Sequence, residues 1–393
     1  MAEGPVKVAH LADLHLGFRR YQRITPEGVN QREADVARAF RTVVDGLIAT
    51  GPDLVLVAGD HFHSIRPGNH AIIDAYSQWA RFRAARPEVP VVIVSGNHDT
   101  PRTSEVGFIL RLFHQLPGFY VAAGDPKDFR LQVAGTAVHI RAVPESNRPV
   151  PINQPDKDGL RILLLHGDTP STVKWKGDPQ GVFCHNVVPV EELARWDYAA
   201  LGHYHVTQQV GEHAWYAGAI EYTSSDPWAE LREEEGIGKA WLLVTFDGRV
   251  PTVERQPVPT RALRDLPVVD AAAMTGAELM DALRANLPAQ YDGMVLRQVV
   301  QNVPPSRRQE LDHSAIRRWK ATALEYQLDL RRPARDAAAL TAHNELRGKS
   351  LAEIVADHLA ARPLPPDIDR EALMRLADKT LADADAAHEA AAI

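Results

Sequence analysis

The strongest constraint on this chain is a punctuation that recurs five times: a short apolar run stops at side chains carrying lone pairs. "VKVAHLADLHLG" (6–17) runs into Asp13 and His15, "DLVLVAGDHFH" (53–63) into Asp60, His61 and His63, and "VVIVSGNHDTP" (91–101) into Asn97, His98 and Asp99. "LRILLLHGD" (160–168) delivers His166, and "WDYAALGHYH" (196–205) delivers His203 and His205. Runs this short and this apolar suit strands buried on both faces, and open α/β sheets place their sites in the crevice at the strand ends. The five clusters are therefore expected to converge.

Singly, each is ordinary, because G-D and H-G are common turns and a lone D-x-H is weak. In the order D-x-H, G-D, G-N-H-D, H-G, G-H-x-H they read as one donor set. Asp13, His15, Asp60, Asn97, His166, His203 and His205 offer mixed oxygen and nitrogen ligands. A catalytic zinc usually takes three protein ligands, whereas this set, with one bridging carboxylate, fits two divalent ions about 3.5–4 Å apart. Ligation without thiolates suits manganese or iron, admits zinc, and suits magnesium or calcium less.

Composition narrows the partners. The 393 residues, 45% hydrophobic and 24% charged, suit two or three globular domains. No run approaches the ~20 apolar residues of a membrane span, and no secretory leader pattern opens the chain, so a cytoplasmic location is expected. Cys184 is the only cysteine, which excludes an intrachain disulfide and a multi-thiolate zinc site. The net charge of −7 gives no general attraction to nucleic acid, so phosphate binding has to come from a local field such as bound cations.

At these five blocks, over residues 6 to about 250, the chain resembles the calcineurin-like metallophosphoesterases, and within them it looks most like the SbcD-type nucleases. "GDHFHSIRPG" (59–68), "SGNHDTP" (95–101) and "LGHYHVTQQV" (201–210) leading into "WYAGAIEYTSSDPWAE" (215–230) carry the narrower likeness. The resemblance implies an α/β fold, an αββα sandwich, with a small α+β capping domain and C-terminal helices. The corresponding boundaries are 1–256, 257–335 and 336–393. It implies a manganese-dependent exonuclease and endonuclease of DNA ends, hairpins or single strands, working as a homodimer with an SbcC-type ATPase in DNA repair at the nucleoid. Asp13, His15, Asp60 and His205 would hold one ion and Asp60, Asn97, His166 and His203 the other, with Asp60 bridging.

His98 matches the family's catalytic histidine, expected to stabilise the developing phosphorane charge or protonate the leaving oxygen. His63 stands where related phosphatases carry an aspartate, and is expected to touch the substrate phosphate or to orient His98. His61 reads as a packing variation or a support behind the ligands, not as an extra ligand. A metallophosphoesterase for nucleotides or phosphoproteins is the competing reading. A binding module without chemistry is disfavoured because every block is filled.

Farther along, helices are expected at 71–85, 104–116, 276–288 and 312–328, a strand at 293–304, and basic residues at Arg307, Arg308, Arg317, Arg318 and Lys320. After a linker at 334–349, Ser350 and Glu353 form a capping-box pattern ahead of an apolar stripe of Leu351, Ile354, Val355 and Leu359. A second amphipathic helix, starting at Asp367 or Asp369, would carry Leu373, Leu376, Ala377 and Leu381. Two such helices are expected either to dock back on the core or to bind a partner, and the resemblance favours the partner, as the grip on the ATPase.

Overall fold

The structure is a computed structural model that describes residues 4–103, 105–145, 152, 158–170, 186–333, 350–361 and 368–391. The expected linker 334–349, the prolines between the last two helices, and Asp367 lie outside the described residues. The chain forms two compact units, one of Met1–Pro267, Asn286–Gln298 and Asp312–Leu328, the other of Val268–Ala285, Val299–Leu311 and Asp329–Ile393.

The first unit is built on β1 (Val6–Leu11), β2 (Leu54–Ala58), β3 (Val91–Val94), β4 (Phe119–Ala122), β5 (Lys127–Val133), β6 (Thr136–Val143), β7 (Leu160–His166), β8 (Tyr198–Gly202), β9 (Gln208–Gly211), β10 (Ala214–Tyr216), β11 (Ala240–Asp247) and β12 (Val250–Pro257). They make two six-stranded sheets, ordered β12-β11-β1-β2-β3-β4 and β5-β6-β7-β8-β10-β9. The strands β1 to β4 are mutually parallel, as are β6, β7 and β8.

The uniform apolarity of the central strands has a simple cause. Val55 and Val57 of β2 pack with Phe40 and Val44 of α1 (Gln31–Thr50) and Trp79 of α2 (Asn69–Ala85). Leu54, Leu56 and Ala58 instead meet Ile162, Leu164 and Ala200 of the second sheet. Alternation along β2 thus chooses between two cores, not between core and water. A further apolar layer, including Leu163, Leu165 and Trp196, covers the other face of the second sheet. This is the αββα sandwich. Helix α1 starts at Asn30, whose side chain accepts the Arg32 N–H at 3.0 Å, and stops at Gly51 in the left-handed region (φ 58°).

Two expected helices are shorter than the pattern suggested. Within 104–116 the described helical segment is a 3₁₀ turn, Ile109–Gln115. The helix expected at 312–328 ends at Thr322, and a strand, Glu325–Leu330, follows. Ala323 leaves the helix with ψ 162°, and the Leu324 N–H donates to Met294 O at 2.8 Å, so sheet pairing captures the chain. Tyr326, fully buried, meets Trp319 edge-on at 5.8 Å. Along α2, Trp79 is buried, but Ile73 and Tyr76 remain 62% and 36% exposed.

In the second unit, Val269–Asp270 pairs with Val300 and Gln301, and the helix Gly276–Asn286 buries Leu279, Met280 and Leu283. The C-terminal helices are Leu351–Ala361 and Arg370–Ala391. The capping box forms as expected: Ser350 N–H donates to Glu353 Oε2 at 2.6 Å and Glu353 N–H to Ser350 Oγ at 3.3 Å. The Arg370 guanidinium donates to Ala360 O at 2.8 Å, tying the two helices together. Leu351 and Leu376 are 64% and 61% exposed. No described helix is long and apolar enough to cross a membrane.

Candidate metal centre

Register brings the strand ends together. Val8 aligns with Leu54 and Val55 with Val91, so β1, β2 and β3 finish side by side, while His166 at the end of β7 lies opposite Gly202 at the end of β8. The chain then turns sharply. Asp13, His15, Asp60 and His203 all have positive φ, at 50°, 47°, 45° and 102°. Such conformations cost about 1–3 kcal/mol each for residues with a Cβ and persist where surroundings impose them. Here, Asp13 and His15 N–H donate to Gly59 O at 3.2 Å and Asp60 O at 2.9 Å.

Two glycines admit the donors by lacking a side chain. A Cβ on Gly59 would sit 2.1 Å from His166 Nδ1, and one on Gly96 would sit 2.1 Å from Asp60 Oδ1. The residue after Gly96 is Asn97, so the same turn that clears Asp60 also places an amide beside His166 and His203.

The seven expected donors do meet, in two groups. Asp13, His15 and His205 have ligand atoms within 4.8 Å of one another, and so do Asp60, His166 and His203. His15 Nε2 lies 3.0 Å from His205 Nε2. Asn97 Oδ1 lies 2.9 Å from both His166 Nε2 and His203 Nδ1. Asp60 Oδ2 stands between the groups, 3.7 Å from His15 Nε2 and 3.6 Å from His166 Nε2. The His203 N–H donates to both Asp13 carboxylate oxygens, at 3.1 and 3.0 Å, joining the end of β8 to the end of β1.

The donor chemistry fits cations. His166 Nδ1 is 2.9 Å from Ala58 O, which only accepts, so that nitrogen carries the proton. Burial, then the neighbouring His203, pushes the His166 imidazolium well below its ordinary range, so the ring is neutral and Nε2 is a lone pair. That lone pair faces the oxygen of Asn97 and a carboxylate oxygen of Asp60, a grouping of acceptors that a divalent ion satisfies. His15 is likewise pushed far down, by burial first and then by His98 and His205. Neutral imidazoles are the form that binds metal.

His98 sits beside the groups and shares the turn. Its N–H donates to Asp60 Oδ1 at 2.8 Å and its Nδ1 lies 3.0 Å from His63 O, which fixes the ring. His98 and His63 stack at 4.9 Å with 27° between planes, and burial lowers the pKa of both, His63 to about 4. His61 is elsewhere: fully buried, it takes the Trp79 Nε1–H at 3.3 Å, and burial brings its pKa to about 3. It is the packing variation expected. Of the basic residues singled out, Arg317, Arg318 and Lys320 are exposed on one helix, whereas Arg307 is paired with Glu310 at 2.7 Å.

Three supports escaped sequence reasoning. Asp99 accepts N–H groups from Gly96 at 2.7 Å, His61 at 2.8 Å and Phe62 at 3.3 Å, clamping the turns after β2 and β3; burial, partly offset by those donors, raises its pKa to about 7. Its place in G-N-H-D was the available signal. Asp168, in "HGD", lies 3.5 Å from His203 Nε2. Lys239, buried among Glu230, Glu234 and the Tyr222 ring, donates to His205 O at 2.9 Å, and no local pattern announces it.

Comparison with known proteins agrees with this geometry. Residues 6–225 match the calcineurin-like phosphoesterase family. The chain is similar to the DNA double-strand break repair protein Mre11 of Methanocaldococcus jannaschii, 25% identical over 289 residues that cover 68% of this chain and 71% of the relative. The Mre11 proteins of Archaeoglobus fulgidus and Halobacterium salinarum are 26% and 29% identical, over 67% and 65% of this chain. In those two the match spans less than two thirds of the relative, 62% and 61%. A family match that takes in all five strand ends, on a fold that gathers their donors around Asp60, leaves one conclusion: the protein belongs to the calcineurin-like phosphoesterase family, has Mre11 homologues, and is a metal-dependent phosphodiesterase.

Proposed function

We propose that this chain is a manganese-dependent DNA nuclease, acting as exonuclease and endonuclease within an SbcCD-type repair complex. The observation that carries it is the Asp60 carboxylate lying between two metal-sized donor groups, 3.7 Å from His15 and 3.6 Å from His166. Asp13, His15, Asp60 and His205 would hold one ion, and Asp60, Asn97, His166 and His203 the other. When bound, the ions supply charge neutralisation at the phosphate and the acidity that makes water nucleophilic near neutral pH.

The chain's own residues do the rest. Asp60 is kept in place through Oδ1 by the His98 N–H, leaving Oδ2 directed between the groups. His98, with its Nδ1–H committed to His63 O and burial favouring the neutral ring, presents an Nε2 lone pair that has to take up a proton, as from the water that attacks, before it can pass one to the departing oxygen. His63 belongs to the same reacting corner, stacked on His98. The segments 257–335 and 336–393 are assigned to DNA capping and to an SbcC-type ATPase, with a homodimer at the nucleoid as the working form. Exposed Leu351 and Leu376 on the C-terminal helices support the ATPase assignment.

The test offers purified protein with Mn²⁺ labelled duplex DNA, single-stranded DNA, a phosphomonoester and a simple phosphodiester. Cleavage of DNA is the expected result. Efficient phosphomonoester turnover without DNA cleavage overturns the nuclease reading in favour of a nucleotide or phosphoprotein substrate.

A further inference from the structure

A neutral imidazole has two nitrogens and one proton, so a ring that presents a lone pair at one nitrogen has an N–H to place at the other. His15 is such a ring. Its Nε2 faces Asp60 Oδ2 and His205 Nε2, and its Nδ1 lies 3.2 Å from Nδ1 of His63. If both Nδ1 atoms were bare, two lone pairs would oppose each other at hydrogen-bond distance.

We propose that His63 is a positioning residue for His15: its Nδ1 lone pair accepts the His15 Nδ1–H and so turns the His15 Nε2 lone pair toward the ion. The inference rests on the two-ion reading above. It fixes the His63 proton on Nε2. Its ring is well placed for the task, with the Phe18 ring in T-shaped contact at 4.9 Å and 89°, and with its backbone N–H on Leu16 O at 3.0 Å. His63 therefore holds two histidines by different means, His15 through its side chain and His98 through its carbonyl. Changing the side chain removes the first hydrogen bond and leaves the second. Outer partners of metal-bound histidines typically carry about 10–100-fold in metal affinity.

Two variants separate acceptor from bulk. His63→Phe keeps a ring to stack on His98 and deletes the acceptor, whereas His63→Asn places an oxygen near the Nδ1 position. Metal-free protein is titrated with Mn²⁺ in the absence of DNA, by calorimetry and by the Mn²⁺ electron paramagnetic resonance signal, after circular dichroism and melting have verified folding. His63→Phe should weaken one of two ions by about 10–100-fold, and His63→Asn should stay within about threefold of wild type. A wild-type two-ion isotherm for His63→Phe, or an equal loss in both variants, overturns the inference. Wild-type protein that binds fewer than two ions overturns the two-ion reading itself, and this inference with it.

Discussion

Gly96→Ala isolates steric clearance at the bridging carboxylate. The added Cβ would lie 2.1 Å from Asp60 Oδ1 and 2.4 Å from Asp60 N, whereas ordinary contact begins near 3.4 Å, so the carboxylate has to retreat by about 1.3 Å. Retreat breaks the 2.8 Å hydrogen bond from the His98 N–H and withdraws Oδ2 from between the two donor groups. A misplacement of about 1 Å in a catalytic constellation costs on the order of 100-fold, equivalent to about 2.7 kcal/mol. The expected result is a fall of about 100-fold in kcat/KM on a chromogenic phosphodiester, with Mn²⁺ affinity down at least about 10-fold. Gly68→Ala is the control, since nothing lies within 4 Å of its Cβ position and its φ of −67° suits alanine. Gly96→Ala with kcat/KM and Mn²⁺ titration within about threefold of wild type refutes the steric reasoning.

Three further outcomes are expected. His98→Ala should lose hydrolysis while still binding two Mn²⁺ per chain by elemental analysis; an emptied site would make His98 a ligand. Asp35 is pushed up by burial but held below the ordinary carboxylate value by the hydrogen bonds and charges of Arg261 and Arg32, so its contribution is full above about pH 4 and is lost as pH falls through the folded value. Asp35→Asn should thus cost about 3 kcal/mol in urea unfolding of metal-free protein at neutral pH, with the gap narrowing in acid; a pH-independent gap contradicts this. Deleting 336–393 should leave Mn²⁺-dependent hydrolysis of short substrates intact and abolish co-elution with an SbcC-type ATPase, and undiminished co-elution would overturn the assignment of those helices.

The sandwich and the meeting of Asp13, His15, Asp60, Asn97, His166, His203 and His205 were legible because each follows or ends a run too apolar for anything but a doubly covered strand. What holds those donors was less legible. Lys239 is distant in sequence from His205 and reaches its carbonyl only after β11 has paired beside β1. The contact between the rings of His15 and His63 depends on a parallel bridge between Leu16 and Phe62, a pairing that no spacing within either loop encodes. The helix expected to reach residue 328 fails for a similar reason: from Leu324 onward, partners outside the segment outweigh its local helical pattern.

The division of the donors between two sheets also has a consequence for biosynthesis. Asp13, His15, Asp60 and Asn97 come from the ends of β1, β2 and β3, while His166, His203 and His205 come from β7 and β8. Neither sheet alone holds the full donor set proposed for either ion. A ribosome-bound chain has to emerge past His205, and both sheets have to close on their shared apolar layer, before the centre exists. Hydrolytic competence is thereby interlocked with completed folding of the two sheets, so a copy cut short before His205, or half-unfolded, carries fragments of the centre but no working phosphodiesterase.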